Sequence, residues 1–315
     1  MTPGRANRVS SAMDHLKEIF GNPPPPLVIM LQEVHRQSLE AILNHSWIRE
    51  NFVLSNTDAP RGHFTLMMVS QHIQAKRWFR VPFLSHMRRD ALVVDIPISS
   101  LGGGSEHLQK CLRLCTMHLE SSPEGNELRP SQLAQVSALL KAPPTRCTQI
   151  VGGLIGGDMN STLPLEADSH RASDVDLRDV WEDTTPPPLP ILKPFQRDRT
   201  YGRAKGITSG YQSRRASSRK RLDKFLYTGS VDTIPLFEAQ DLSGKVGRLG
   251  IDIKTKIMAW EYVTKWAGSV NGRIIQEPRK WHFDAEKRFM EDGVFKEVDV
   301  WVSNHFGIAV GIRVC

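Results

Sequence analysis

The sequence predicts a layered α/β fold, because strand-like and helix-like hydrophobic patterns follow one another along most of the chain. Short continuous apolar runs, as at 27–31 and 150–155, are typical of strands that are covered on both faces. Apolar residues three or four positions apart, as at 133–140, are typical of amphipathic helices. A chain of 315 residues with 40% hydrophobic and 24% charged residues can bury a large core, which excludes a disordered or fibrous protein.

The elements follow in order from these patterns. Residues 8–20 predict a helix that stops at the proline run 23–26, and the strand at 27–31 follows it. A second helix is predicted from the spacing of Leu39, Ile42, Leu43 and Trp47. Further strands are predicted at 64–69, 91–96, 112–118, 150–155, 222–227 and 308–314. Two segments resist assignment: a loop at 184–221 rich in Pro, Gly, Ser and Arg, and a stretch of irregular apolar spacing at 238–297.

Cysteine usage and hydropathy narrow the protein class. The four cysteines, Cys111, Cys115, Cys147 and Cys315, lack CxxC spacing, and no histidine pair stands where a zinc site would need one. Cys111 and Cys115 are predicted to be small buried residues of a strand, and such sparse usage fits a reducing compartment. No apolar run approaches the roughly 18 residues of a membrane span, and the N-terminus lacks an apolar targeting segment. We therefore expect a soluble intracellular protein with no membrane partner.

The positive charge of the chain is concentrated in one segment. The net charge is +7, yet residues 193–224 contain eleven Lys or Arg and two Asp, so this segment alone is +9. Such a patch favours a polyanionic partner such as DNA, although a solvated loop is the alternative. The basic clusters also predict a nuclear protein, with a cytoplasmic pool as the second possibility. The candidate phosphate contacts are Arg214, Arg215, Arg219 and Lys220.

Acids, an amide and histidines stand at the ends of five strand-like segments. Because burying a carboxylate without a partner is costly, such positions are candidates for function. Each alone also fits a structural role, as a rim acid, a glycine turn or a core histidine. A purely structural explanation would have to apply separately at each of the five strand ends, so the whole set favours a functional site. Its members are Glu33, His118, Glu120, Asp158, Asn160, Asp223 and His305.

The residue types indicate the chemistry. Glu33 suits a hard divalent cation such as Mg2+, which binds a few carboxylate oxygens and keeps waters for substrate. Asp158 suits the activation of water, and Asn160 suits donation to a developing charge. A histidine that is paired with a buried aspartate becomes an oriented imidazole able to hold positive charge against a phosphate.

Ordered motifs give the chain a family resemblance. They are Leu-Gln-Glu-Val at 31–34, Gly-Asp-Met-Asn at 157–160, Arg-Leu-Asp-Lys-Phe at 221–225 and Ser-Asn-His-Phe-Gly at 303–307. In this order they resemble the endonuclease/exonuclease/phosphatase superfamily, and the resemblance spans roughly residues 8–314. His-Leu-Glu-Ser at 118–121 and Asp-Val-Trp-Glu at 179–182 narrow it to the tyrosyl-DNA phosphodiesterase 2 branch.

The resemblance implies a fold and an activity. The implied fold is a two-layered β-sandwich flanked by helices, the DNase I-like four-layer α/β sandwich. It would form one domain over 1–315, with a catalytic core at 8–314, the basic loop at 184–221 and an insertion within 238–297. The implied activity is a DNA-repair hydrolysis of phosphodiesters that uses Mg2+, with Mn2+ as a substitute. The implied substrate is a 5′-phosphotyrosyl DNA end left by a trapped topoisomerase.

The resemblance also implies a role for each matching residue. Glu33 and Asn304 would bind the metal, and His118 would contact the scissile phosphate. Asp158 would activate the attacking water, with Asn160 beside it. His305 would stabilise charge on the phosphate, with Asp223 positioning its ring. The implied substrate contacts are Glu120 and Tyr201, the latter as an aromatic seat for a base or tyrosyl ring.

Two departures from the family pattern keep alternatives open. The family begins with a strand ending in Thr-Trp-Asn, and nothing here matches it, so we expect the first strand to be missing. Asn304 replaces an aspartate, which removes one negative charge near the metal. These departures motivate an impaired relative that only binds nucleic acid. A further alternative is a nuclease or phosphatase of the same superfamily that acts on another phosphodiester, an abasic or plain DNA end, or a phosphorylated lipid headgroup.

Overall fold

The structure is a computed structural model of the full chain. It describes residues 4–60, 62–98, 108–121, 123–182 and 220–234. Towards the C-terminus it describes 236–239, 242–244, 246–250, 253–262, 267–270, 273–276, 280–282, 294–303, residue 305 and 307–315.

The described α-helices cover the predicted helical segments. They are α1 (Arg5–Phe20), α2 (Arg36–Asn44), α3 (Ser46–Asn51) and α4 (Arg129–Leu140). Short 3-10 turns occur at Pro123–Glu127, Pro164–Glu166 and Ser169–Arg171. The second predicted helix is two helices, because the backbone of His45 between them is extended. Within the described residues, no helix has the length and apolar character needed to cross a membrane.

The strands outnumber those predicted. The first nine are β1 (Val28–Val34), β2 (Phe52–Leu54), β3 (Phe64–Ser70), β4 (Arg77–Pro82), β5 (Asp90–Pro97), β6 (Gln109–His118), β7 (Thr148–Asp158), β8 (Arg178–Asp179) and β9 (Asp223–Gly229). The others are β10 (Val231–Ile234), β11 (Leu236–Ala239), β12 (Leu242–Gly244), β13 (Val246–Leu249), β14 (Lys254–Tyr262), β15 (Ala267–Val270), β16 (Arg273–Gln276), β17 (Lys280–His282), β18 (Val294–Trp301) and β19 (Gly307–Val314). The hydrophobic pattern missed the short or half-exposed strands among these.

Two β-layers form the centre of the molecule. The larger sheet has six strands in the order β4-β5-β6-β7-β9-β8. The second layer contains the three-stranded sheets β1-β3-β2 and β10-β19-β13. The core between the layers joins residues from both: Met67 and Val69 from β3, Leu92 and Val94 from β5, Leu112 and Leu114 from β6, Leu154 from β7 and Val231 from β10.

Helices cover the outer faces of both layers. Helix α4 packs Leu133, Val136 and Leu140 on the far face of the larger sheet. Helices α1, α2 and α3 pack on the second layer through Met13, Leu39, Ile42, Trp47 and Ile48, among others. This arrangement is the predicted four-layer α/β sandwich. Cys111 and Cys115 are fully buried in β6 and unpaired, as predicted.

The unassigned segment at 238–297 contains regular structure. Strands β14, β17 and β18 form a three-stranded antiparallel sheet, and β15 pairs with β16. Strand β19 pairs with β10 through residues 311–314 and with β13 through residues 307–310. That this segment is an insertion stays a prediction. The predicted basic loop at 184–221 lies outside the described residues except for Lys220 and Arg221.

Strand register places three polar residues in one row. Strands β6 and β7 run parallel, with His118 opposite Asp158. Strands β7 and β9 run antiparallel, with Asp158 opposite Asp223. Gly157 permits the close contact of the first pair, because a Cβ there would lie 2.0 Å from the carbonyl oxygen of Met117. Three predicted strand ends therefore meet at one edge of the larger sheet.

Candidate active site

The row of strand ends is completed by a histidine from outside the sheet. His305 lies just before β19, and its Nδ1 is 2.9 Å from Asp223 Oδ2 and 3.9 Å from Asp158 Oδ2. On the other side, His118 Nε2 is 3.5 Å from Asp158 Oδ2. Asp158 thus lies between two histidines. The structure brings these four predicted residues together although more than 180 positions separate His118 from His305 in the sequence.

Glu33 lies on a distorted part of the second layer. The register of β1 against β3 shifts between Leu31 and Val34, and Glu33 has a φ of 55° within that bulge. A bulge of this kind re-aims a side chain at a small cost in backbone energy. Glu33 is exposed, and its negative charge acts on both Asp158 and His305. It therefore contributes to the electrostatics of the same site.

The turn after β7 is held by its own side chains. Asn160 has a φ of 48°, a conformation that Asn adopts more readily than most residues. Its backbone N–H donates to Asp158 Oδ1 at 2.8 Å, and its Nδ2 donates to the carbonyl of Leu119 at 2.9 Å. One amide N–H of Asn160 is thus committed to holding β7 against the segment after β6. The predicted donation to a developing charge stays a prediction.

His305 is a cation at neutral pH. Burial alone would lower its pKa, but the hydrogen bond and negative charge of Asp223, with smaller effects of Asp158 and Glu33, outweigh burial and raise the pKa to about 9. Both ring nitrogens of an imidazolium are donors. Nδ1–H donates to Asp223, which leaves Nε2–H as the second donor. The predicted pairing of Asp223 with His305 is therefore present in the structure.

His118 has the opposite protonation state. Burial, then the positive charge of Arg89 and then that of His305 together lower its pKa to about 3. His118 is 3% exposed and remains neutral at neutral pH. Two histidines whose environments separate their pKa values in this way indicate two different chemical roles.

Asp158 carries negative charge that the protein only partly offsets. Burial raises its pKa, and the neighbouring carboxylate of Asp223 raises it further, while His305 acts in the opposite direction. A carboxylate in this state is a stronger base than an exposed one. The ligand atoms of Asp158, Asp223 and His305 lie within 4.8 Å of one another. Because His305 is already protonated, the carboxylate oxygens of the site, and not the imidazole, fit a divalent cation.

Glu120 has a different position from the one predicted. It is 1% exposed, and its two carboxylate oxygens accept from Ser85 Oγ at 2.5 Å and from the backbone N–H of Met87 at 3.1 Å. Both oxygens are therefore used to anchor the loop between β4 and β5. The prediction that Glu120 contacts substrate is corrected to a structural role, because its carboxylate is turned into the protein.

Lys220 is likewise engaged within the protein. Its Nζ donates to the carbonyl of Thr162 at 2.7 Å, which ties the end of the basic loop to the turn after β7. Of the other predicted contacts, Tyr201, Arg214, Arg215, Arg219 and Asn304 lie outside the described residues. Their roles stay predictions.

An ion-pair network beside β9 supports Asp223. Asp179, which is 2% exposed, accepts from Arg221 at 2.7 Å and lies 3.6 Å from Lys224 Nζ. Arg221 and Lys224 flank Asp223 in the chain, so the network fixes the start of β9. In the sequence, Asp179 is marked only as a member of the Asp-Val-Trp-Glu motif. The signal for its role was an acid next to the buried Val180, which requires a partner.

Arg89 was missed by the sequence reasoning. Its Nη1 donates to His118 Nδ1 at 2.8 Å, and Glu33, Glu120 and Asp158 act on it electrostatically. Only the arginine pair at positions 88 and 89, directly before a predicted strand, could have indicated it.

Two other features lie apart from this row. A cavity of about 190 Å³ opens on the helix α4 face, lined by Leu119, Leu133, Met159, His170 and Lys224 among others, and contains none of the predicted site residues. Asp168, His170 and Glu182 also lie close together. Glu182, however, already accepts from Arg171 at 2.8 Å and faces Arg221 at 3.8 Å. Its charge is matched by protein cations, so this cluster is an ion-pair network.

The chain is similar in structure to several solved proteins. D. rerio TDP2 complexed with single strand DNA product superposes with a TM-score of 0.58 at 15% identity, covering 99% of this chain and 94% of that chain. An endonuclease/exonuclease/phosphatase family protein from Bacteroides thetaiotaomicron gives 0.52 at 10% identity, with 97% and 87% covered. A mannosyl-6-phosphatase of the same bacterium gives 0.53 at 10% identity, with 98% and 91% covered.

The chain has the endonuclease/exonuclease/phosphatase fold. Similarity at these identities establishes the fold alone, and no family model and no curated protein sequence matches the chain. The structural similarity extends over nearly the whole length of the chain. The predicted layered sandwich and the family resemblance in fold are therefore confirmed.

Proposed function

We propose that the protein is a divalent-metal-dependent phosphodiesterase that hydrolyses 5′-phosphotyrosyl DNA ends. The observation that carries this proposal is the position of Asp158 between a neutral His118 and a cationic His305. A base between a neutral donor and a cation suits the attack of water on a phosphate, where negative charge develops on oxygen.

Each residue has a part in this chemistry. Asp158, whose pKa is raised by burial and by Asp223, accepts the proton of the attacking water. His305, held by Asp223, presents Nε2–H and a positive charge to the phosphate oxygens. The neutral ring of His118 donates a hydrogen bond to an oxygen of the scissile phosphate. A bound divalent cation, held by Glu33 with Asn304, would supply Lewis-acid stabilisation of the phosphate oxygen charge.

DNA is supported as the substrate by charge and by structural likeness. The segment 193–224 carries +9 and leads directly into Asp223. A basic segment at the mouth of a site concentrates a polyanion there and makes its binding sensitive to salt. The similar D. rerio TDP2 structure holds a single strand DNA product. Nuclear residence belongs to the same proposal.

The direct test is hydrolysis of an oligonucleotide that carries a 5′-tyrosyl group. With Mg2+, the full chain should release the tyrosine and leave a 5′-phosphate, while an Asp158→Asn variant should be about 100–10,000-fold slower because it lacks the base. Chelation with EDTA should abolish release, and added Mg2+ or Mn2+ should restore it. Equal rates for the wild type and Asp158→Asn would refute the enzyme proposal.

The same assay addresses the remaining alternatives. A 3′-blocked and an abasic oligonucleotide, offered in parallel, separate the proposed substrate from other DNA ends. Salt-sensitive DNA binding without turnover of any of them would favour the impaired nucleic-acid-binding relative that Asn304 motivates. Restoration of turnover by Asn304→Asp would then identify the lost charge as the cause.

A further inference from the structure

Arg89 lies at the end of the loop that joins β4 to β5, beside the candidate active site. Its Nη1 is 2.8 Å from His118 Nδ1, and its Nη2 donates to Ser121 Oγ at 3.3 Å. The side chain is half-buried. The guanidinium of Arg89 therefore contacts the Nδ1 side of the His118 ring, while the Nε2 side of the same ring faces Asp158.

The loop is fixed by buried contacts. Ser85 Oγ accepts from the backbone N–H of Arg89 at 2.9 Å and itself donates to Glu120. The backbone N–H of Glu120 donates to Gln132 Oε1 at 3.0 Å, and Gln132 Nε2 donates to the carbonyl of Leu84 at 2.9 Å. Gln132 belongs to α4 and is 1% exposed. These hydrogen bonds connect the backbone of Arg89 to helix α4, so buried contacts fix its position.

The hydrogen bond between Arg89 and His118 has one permitted direction. Guanidinium nitrogens carry only donors, so His118 Nδ1 must accept. A neutral imidazole that accepts at Nδ1 carries its proton on Nε2. Nε2 is the nitrogen 3.5 Å from Asp158 Oδ2, so the proton lies on the side of the ring that faces the site.

We propose that Arg89 is a positioning residue that holds His118 as the neutral Nε2–H tautomer, so that His118 donates to the phosphate. The phosphate part of this inference rests on the proposed function, whereas the tautomer part does not. Arg89 acts through His118, and the negative charges of Glu33, Glu120 and Asp158 act on its guanidinium.

The charges around the pair agree with this assignment. Burial and, after it, the positive charge of Arg89 contribute most to lowering the pKa of His118 to about 3, so the ring is neutral beside the guanidinium. A protonated ring would place a second cation 2.8 Å from Arg89 and leave Nδ1–H facing another donor. His305, which pairs with Asp223 and not with an arginine, is the cation of the site.

The test is a histidine ring spectrum of the full chain. The protein, which has 11 histidines, is labelled with 15N in the imidazole rings, and His118→Gln assigns the His118 signals by their loss. At pH 7.5 wild-type Nδ1 should give the signal of an unprotonated nitrogen and Nε2 that of a protonated one. Arg89→Met, which keeps the side-chain length but removes every donor, should move both signals towards the average of two tautomers. Arg89→Lys keeps a donor and should stay close to wild type.

Arg88→Met is the matched control, because Arg88 is the exposed neighbour with the same charge. It should leave the His118 signals unchanged. A protonated Nδ1 in the wild type would overturn the inference without any variant. Unchanged His118 signals in a folded Arg89→Met protein would also overturn it.

Kinetics on the 5′-tyrosyl oligonucleotide test the catalytic consequence. Arg89→Met should lower kcat about 10–100-fold, the usual effect of losing a residue that orients a functional histidine, with partial rescue in Arg89→Lys. A rise in KM with unchanged kcat would overturn the positioning role, since that pattern reports direct substrate binding. If the wild type hydrolyses nothing, the proposed function fails, and the spectra still decide the tautomer.

Discussion

Replacing Asp223 with Asn removes one negative charge from the centre of the candidate site. Asp223 is the partner that holds His305 protonated, through a 2.9 Å hydrogen bond. It also raises the pKa of Asp158. The substitution therefore lowers both pKa values, and both limbs of the pH–rate profile should move to lower pH. Loss of a merely structural residue would lower the rate without moving the profile.

The size of the shift follows from His305. Its pKa is raised from 6.5 to about 9, and Asp223 contributes the largest raising effects, so without Asp223 the pKa should fall back towards the ordinary value of 6.5. At pH 7.5 a pKa of 6.5 corresponds to an imidazolium fraction of about 9%, compared with about 97% for a pKa of about 9, so the rate should fall by up to about tenfold. The rise of the His305 pKa from 6.5 to about 9 adds about 3 kcal/mol to the free energy of unfolding. Because the folded pKa is raised, this stability is complete below pH 6.5 and is lost as the pH rises through about 9.

The assay is hydrolysis of the 5′-tyrosyl oligonucleotide between pH 5 and 10, together with urea unfolding at pH 6 and pH 9.5. Asp232→Asn is the matched control, because this aspartate is half-exposed and pairs with Arg313 at 3.0 Å in the second layer. The control should keep the wild-type profile. An alkaline limb that stays in place in Asp223→Asn would refute the assignment of His305 as the cation. So would equal destabilisation of that variant at pH 6 and pH 9.5.

Three further predictions concern charge elsewhere in the protein. Asp158→Asn should raise the thermal unfolding midpoint at pH 8 while removing activity, because burial disfavours the charged carboxylate; a lower midpoint would contradict the direction of its pKa shift. Neutralising the four basic residues should make the slope of log Kd against log salt shallower by about 3, and an unchanged slope would show a solvated loop. These residues are Arg214, Arg215, Arg219 and Lys220. Asp95→Ala should lower the free energy of unfolding in urea by about 3–5 kcal/mol, because it leaves the charge of the buried Arg113 unpaired. Its control is Glu40→Ala, which removes an exposed ion pair with Arg36 and should change the free energy of unfolding little.

Much of the fold was predictable because its strands are hydrophobic over several residues. Strands β1, β3, β5, β6, β7, β9 and β19 all coincide with apolar runs in the sequence. Strands such as β8, of two residues, and β4, which is largely half-exposed, have no such run. Their formation depends on pairing with β9 and β5, which no local pattern encodes.

The sequence by itself determined which residue types stand at the strand ends and in what order. It could not determine that Asp158 lies opposite both His118 and Asp223, because strand register depends on partners distant in the chain. Nor could it indicate that Glu120 turns inward or that Arg89 reaches His118. Only the tertiary structure decided the opposite protonation states of the two histidines. Burial and the distance to neighbouring charges set a pKa, and both are properties of three-dimensional position.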